Sequence, residues 1–377
     1  MKKFKIIAVA LVFALVLAAC GKKDEVDIVG GNGEEITIDV DTEIEGTALD
    51  FFPFLENTQY VYSRDSIFAD REEHYVTFVN GNNMQRKVMV ANYEATEVFE
   101  FRDGAIVMVY AESEWYDFND LTESERNFDR IILKGPLKVG TTWEVESGFI
   151  TLGNLTGTST ITAVNVPITT PAGDFLAIEV TIDFPGSNYS INYFARGVGL
   201  IKTEYYTKSH GHDRYASNTI EETIIIEEFN RNVSHQMALN VYFADVDDYF
   251  LDFSEVILEL RTNDSITLIL ERALREKGLF SENTKINNIE VNNLEKYMLL
   301  DLSSEFYTER TSKLGSGFET AAIEEVALTF MEFFDVWSIS ITMDGEPYSG
   351  GHVDFDENHF IERGNLLTAN AQRRAED

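Results

Sequence analysis

IEVTIDF, Ile178 to Phe184, is the stretch that decides the fold. Ile178, Val180, Ile182 and Phe184 fall on one side of an extended chain and Glu179, Thr181 and Asp183 on the other, the period of a strand with one buried face. The same alternation runs outward from here, back to Phe51 and on to about Phe229. Turn chemistry punctuates it at Asn80-Gly81, Asp103-Gly104, Pro171-Ala172-Gly173, Pro185-Gly186 and Gly197-Val198-Gly199. Residues 49–230 are therefore expected to form an all-β antiparallel meander of about eight to eleven strands, curled as a sandwich, barrel or half-barrel. Residues 119–128 alone read as a helical or irregular insertion.

Past residue 230 the period changes. LNVYFAD (239–245) and YFLDF (249–253) read as strands, and Ile266, Ile269, Leu270, Ala273 and Leu274 then repeat with helical spacing. Asn263 or Asp264 is the expected N-cap of that helix, and Gly278 its stop. INNIEV (286–291) and YMLLDLS (297–303) form a hairpin about Asn292-Asn293. Ser316 and Glu319 have the spacing of a capping box, ahead of a second apolar repeat through Ile323, Val326, Ala327, Phe330, Met331 and Phe334. A last strand carries Trp337, Ile339, Ile341 and Met343 and ends at Asp344-Gly345. The order β-β-α-β-β-α-β predicts an α+β domain over residues 237–360, a small sheet with both helices on one face. Residues 361–377 form a polar tail.

In order and spacing, VYFAD (241–245), LILERAL (268–274), MLLDLSSEF (298–306) and EEVALTFMEFFDVWSISITMDGEPY (324–348) resemble the GerMN domain, the module named for a bacterial lipoprotein of sporulation and spore germination. The resemblance implies an α+β fold similar to the ring-building modules of envelope secretion and sporulation assemblies, and it brings no catalytic residue set. One departure is the absence of proline from residues 274–285, where the family often has Gly-Pro. KGPLKVGTTW (134–143), TPAGDF (170–175) and YFARGVGLIKTEY (193–205) resemble β-rich domains of secreted bacterial proteins, with no activity implied.

The N-terminus carries a different kind of information. Lys2, Lys3 and Lys5 precede an uncharged apolar run, Ile6 to Leu17, and Leu17-Ala18-Ala19-Cys20 matches a bacterial lipobox. Residues 1–19 are expected to be a lipoprotein signal peptide. By resemblance to bacterial lipoproteins, Cys20, the single cysteine, becomes an acylated N-terminus carrying fatty acid such as palmitate. Two or more acyl chains hold a protein durably, which predicts residence on the extracytoplasmic face of the cell membrane. Residues 20–48 hold nine acids between Asp24 and Glu45 and read as a solvated tether. Its coil span is about 30 Å.

Charge restricts the partners. Without the three leader lysines the chain keeps 27 basic residues against 65 acidic ones, a net charge of −38. Such a surface repels phosphate backbones and excludes nucleic acid. With Cys20 lipidated, no thiol remains for a disulfide or a cysteine-based zinc site.

The weak metal candidates are His210, His212 and Asp213, a close pair of imidazoles with one carboxylate, in what reads as an exposed connection. Asp245, Asp247 and Asp248 lack the glycine and glutamate positions of an EF-hand loop, and Asp354, Asp356 and Glu357 form a second acidic group. No GxSxG, HExxH, P-loop or Cys-His pattern is present. Trp115, Tyr116 and Phe118 lie together where a half-barrel would open.

These features predict no enzyme and no cofactor. They predict an envelope accessory or scaffold protein in sporulation or germination, acting through an envelope protein partner or self-assembly. The alternative is a carrier whose β-rich domain holds a lipid or glycan.

Overall fold

The computed structural model describes residues 26–29, 35–38, 42–66, 69–91, 93–113, 118–146, 156–184, 188–207, 219–244 and 251–366. The chain divides into two units, residues 1–42 and 43–377. In the first, β1 (Val26–Val29) pairs antiparallel with β2 (Glu35–Ile38), so the segment expected to be a tether contains a hairpin.

The second unit opens with one antiparallel sheet of twelve strands: β3 (Thr58–Arg64), β4 (Arg71–Asn80), β5 (Asn83–Val90), β6 (Tyr93–Arg102), β7 (Ala105–Ser113), β8 (Arg130–Lys134), β9 (Thr142–Glu146), β10 (Thr156–Thr170), β11 (Gly173–Asp183), β12 (Tyr189–Ala195), β13 (Gly199–Thr207) and β14 (Thr219–Arg231). Neighbours in sequence are neighbours in space, and the first strand joins the last, giving the order β8-β7-β6-β5-β4-β3-β14-β13-β12-β11-β10-β9. The sheet curls into a nearly closed barrel whose seam lies between β8 and β9. The sheet has one strand more than the upper end of the expected count. Trp143 of β9 bridges the seam, its indole Nε1 donating to the Ile131 carbonyl of β8 at 3.1 Å.

The alternation in IEVTIDF does what its pattern requires. Ile178, Val180 and Ile182 are buried in the barrel core, each contributing about 1.5–3 kcal/mol of apolar burial. Asp103 and Gly104 adopt φ of 52° and 72°, the left-handed pair a tight β6–β7 turn demands. Helix α1 (Ala48–Phe51) closes one end, with Phe51 and Phe52 buried and the Phe52 ring 4.9 Å from that of Phe99.

The α+β region has the expected order, with two added short strands: β15 (His235–Ala244), β16 (Leu251–Leu260), α2 (Ile266–Glu276), β17 (Ile286–Asn292), β18 (Tyr297–Leu302), α3 (Ser316–Phe333), β19 (Ser338–Met343), β20 (Glu346–Pro347) and β21 (Ile361–Glu362). The single expected sheet is two, because the β15–β16 hairpin makes no ladder with the order β17-β18-β19-β20, to which β21 adds by pairing with β19. Helix α2 is amphipathic, with Ile266, Ile269, Leu270, Ala273 and Leu274 buried. By contrast α3 buries residues around most of its circumference.

Both helix caps differ from expectation. Ser265 caps α2, because Asp264 turns back to accept from Arg261 N and Asn263 faces the barrel. Gly315 caps α3, and Glu319 leaves the first turn to reach Tyr348.

Only three residues separate β14 from β15, and the turn after β16 docks on the barrel. Asn57 N donates to Thr262 Oγ1 at 2.7 Å, and Thr262 Oγ1 donates to the Val76 carbonyl at 2.6 Å. Asn263 Oδ1 accepts from Val79 N at 2.9 Å, and the Tyr75 hydroxyl donates to the Leu260 carbonyl at 3.0 Å. The barrel thus holds the α+β region by main-chain and side-chain bonds at once.

Candidate functional site

Most residues singled out from the sequence lie outside the described residues: Cys20, the His210, His212 and Asp213 group, Asp245, Asp247 and Asp248, and Trp115 and Tyr116. Phe118 is described and is buried, stacked on Phe333 at 5.9 Å with Lys87 Nζ 4.1 Å from its ring centre. Asp354 accepts from Ser349 Oγ at 2.6 Å, the two residues forming an isolated antiparallel bridge. Among the described residues no group of three or more His, Cys, Asp or Glu is placed to hold a metal ion, and no helix is long and apolar enough to cross a membrane.

The barrel interior holds a polar cluster that sequence reasoning missed. Arg64 pairs with Glu72 and with Glu222, each at 2.7 Å, and the His74 Nε2 lies 2.5 Å from Glu72. Arg86 pairs with Glu97 at 2.7 Å, with its guanidinium 4.8 Å from the Phe99 ring centre. Burial works against ionising Glu72, but the hydrogen bond from His74 and the charges of Arg64 and Arg86 outweigh it and hold its carboxyl down to about 2. Burial, with Arg86 beside it, pushes the His74 imidazole below its ordinary value, so the ring is the neutral partner and donates to the carboxylate. Burial also lowers Arg130, which makes no ion pair among the described residues. The signal was in the alternation, since Arg64, Glu72, Arg86 and Glu97 share parity with inward-facing Tyr62, Val76, Val88 and Phe99. Towards α1 the interior is packed, and the cavity between Phe52, Tyr60, Met84 and Leu200 measures about 10 Å³, the limit for one water.

The five-stranded sheet has two unlike faces. Met298, Leu300, Leu302, Ile339 and Ile341 point into the core. Their neighbours Tyr297, Leu299 and Asp301, in register with Ser338, Ser340 and Thr342, point away from it. On that outer side Leu299 is 38% exposed, opposite Ser340. The Phe360 ring packs edge-on against Tyr297 at 5.7 Å. At one corner a cavity of about 490 Å³ separates Glu290, Asn292 and Tyr297 from Glu112 and Ser113 of the barrel.

Helix α3 treats the other sheet differently, running along the free edge of β15 and capping it with side chains. Tyr242 N donates to Thr329 Oγ1 at 2.9 Å, and Ala244 N to Glu325 Oε1 at 2.8 Å. Asn240 Nδ2 donates to Glu332 Oε1 at 2.7 Å. Near the start of α3, Glu319 is fully buried, accepting from the Tyr348 hydroxyl at 3.0 Å with Gly350 pressed against it.

Three solved structures are similar over part of the chain. A protein from Parabacteroides distasonis described as a lipoprotein is 16% identical, with 50% of this chain and 100% of that one covered and a TM-score of 0.31. An exported protein with a YmcC-like fold from Bacteroides fragilis is 15% identical, covering 48% of this chain and 99% of that one with a TM-score of 0.28. A protein from Clostridium perfringens described as a lipoprotein is 13% identical, covering 36% and 92% with a TM-score of 0.21. No curated protein matches the chain. The family model Germane, described as sporulation and spore germination, matches residues 240–349, the hairpin, both helices and the strands between them. The α+β region of this chain is a Germane domain.

Proposed function

We propose that this chain is a lipid-anchored, non-enzymatic envelope protein that serves as an accessory or scaffold in sporulation or germination through protein contacts of its Germane domain. The observation that carries the reading is the outer face of the five-stranded sheet. Both helices lie on the core side, and the other side offers Leu299, Tyr297 and Phe360 among small polar residues. Apolar and aromatic side chains set among polar ones suit a protein interface. The packed end of the barrel and its internally paired arginines favour a structural mount over a lipid or glycan carrier. Cys20, by the lipobox reading, anchors the whole to the extracytoplasmic membrane face.

The test is co-purification from the native envelope with Leu299→Glu and Ser340→Glu together, residues opposite each other on that face. The proposal expects a protein partner with the unaltered chain and its loss with the double variant at unchanged melting temperature. A partner retained in full by the variant refutes the assignment of this face.

A further inference from the structure

We propose that the open edge of β15 between Gln236 and Asn240 binds an extended peptide segment of another protein, one carrying a lysine or arginine. This surface is separate from the sheet face above, and each proposal stands without the other.

The ladder geometry sets out the edge. Tyr242 and Ala244 lie opposite Phe253 and Leu251, yet their N–H groups leave the ladder to meet Thr329 and Glu325. Antiparallel pairing alternates residue by residue, and the ladder runs without a bulge back to His235 opposite Leu260. Asn240, Ala238 and Gln236 therefore also turn their main-chain N–H and C=O away from β16. Helix α3 ends at Phe333, and its last cap, Glu332, bonds the Asn240 side chain and not the main chain. Below that point the edge borders a groove of about 350 Å³ between the Germane domain and the barrel. Four residue steps of strand give it a length of about 14 Å.

The groove chemistry selects the occupant. An unpaired edge presents alternating donors and acceptors, which an extended main chain complements. The side-chain polar atoms turned to the groove include acceptors: the carboxylates of Glu94 and Glu332 and the buried Oδ1 of Asn240, which has no partner among the described residues. Lys87 pairs with Glu94, and Glu332 accepts from Asn240 and Tyr242 with Arg363 3.8 Å away, but a carboxylate accepts several bonds, so each can take a further cationic donor from the groove. Met89, Phe118 and Phe333 supply the apolar wall against which alternate side chains of the peptide pack.

The experiment uses the full chain and three blocked pentapeptides, acetyl-Thr-Val-X-Val-Thr-amide with X lysine, leucine or glutamate, at millimolar concentration. The readout is amide hydrogen exchange. The lysine peptide is expected to slow exchange at Ala238 and Asn240, the leucine peptide to do so less, and the glutamate peptide not at all. Ala238→Pro should weaken binding at least about tenfold without lowering the melting temperature, because its N–H lies outside the ladder, where edge proline is tolerated. Unchanged exchange with the lysine peptide overturns the proposal. So does equal slowing by the glutamate peptide, or slowing that follows chain concentration alone, which would make the occupant a second copy. The exchange measurement on the unaltered chain decides the matter even if the proline variant fails to fold.

Discussion

At Gly350 the main chain passes so close to Glu319 that a Cβ would stand 1.8 Å from its Oε1. Gly350→Ala must therefore push apart a fully buried carboxyl and the Tyr348 hydroxyl it accepts from, and should cost about 1–3 kcal/mol in urea unfolding. An unchanged midpoint would mean the contact is slack. In the barrel, Arg86→Met strands Glu97 in the interior and should destabilise by about 3 kcal/mol, whereas Arg86→Met with Glu97→Leu should recover much of the loss. If the double variant is no better than the single one, the pair is not acting as a unit.

His235, stacked on Tyr75 at 5.3 Å, is held below its ordinary 6.5 chiefly by burial. The unfolded chain then takes up a proton that the folded chain refuses, so stability is full above about pH 6.5 and falls as pH drops below it. His235→Gln should flatten the fall in urea midpoint between pH 7.5 and 5. An identical fall in the variant would assign the effect to other groups, His74 first among them.

Elements were more legible than their joints. Period two and period 3.6 located most of the strands and both helices, α2 because it buries one face on a partner and α3 through its repeat of apolar residues. They could not show that the β15–β16 hairpin stands apart from the other sheet, since periodicity records which side is buried and not which edge is bonded. Nor could they foresee the caps. Ser316 and Glu319 have capping-box spacing, but Tyr348, distant in sequence, drew Glu319 inward, and Asn263 went to the barrel edge at Val79. The inward charges of the barrel were visible as parity and were overlooked because a buried arginine is rare without a partner, and the partners Glu97 and Glu222 sit on other strands. The docking turn gives the element-scale prediction. Thr262→Val keeps shape but leaves Asn57 N and the Val76 carbonyl unpaired, and should cost about 2 kcal/mol. It should also raise hydrogen exchange in residues 57–58 and 261–264 before the rest. Uniform exchange through both regions would show that the turn does not govern their attachment.

At the scale of the molecule, a nearly closed barrel holds a Germane domain, and the lipobox sequence predicts a membrane anchor ahead of both. The bonds at Thr262, Asn263 and Tyr75 tie the barrel to the domain, in keeping with the proposed scaffold role. Composition bears on any contact, because a formal net charge of −35 repels nucleic acid and anionic lipid. What composition could not supply was the face. The most direct measurement is photo-crosslinking in intact cells with the reactive side chain placed at Leu299, and at Leu176, exposed on β11, as the barrel control. The account predicts a discrete protein adduct from Leu299 and none from Leu176. Adducts to lipid or glycan from the barrel position, with no protein adduct from Leu299, would contradict it.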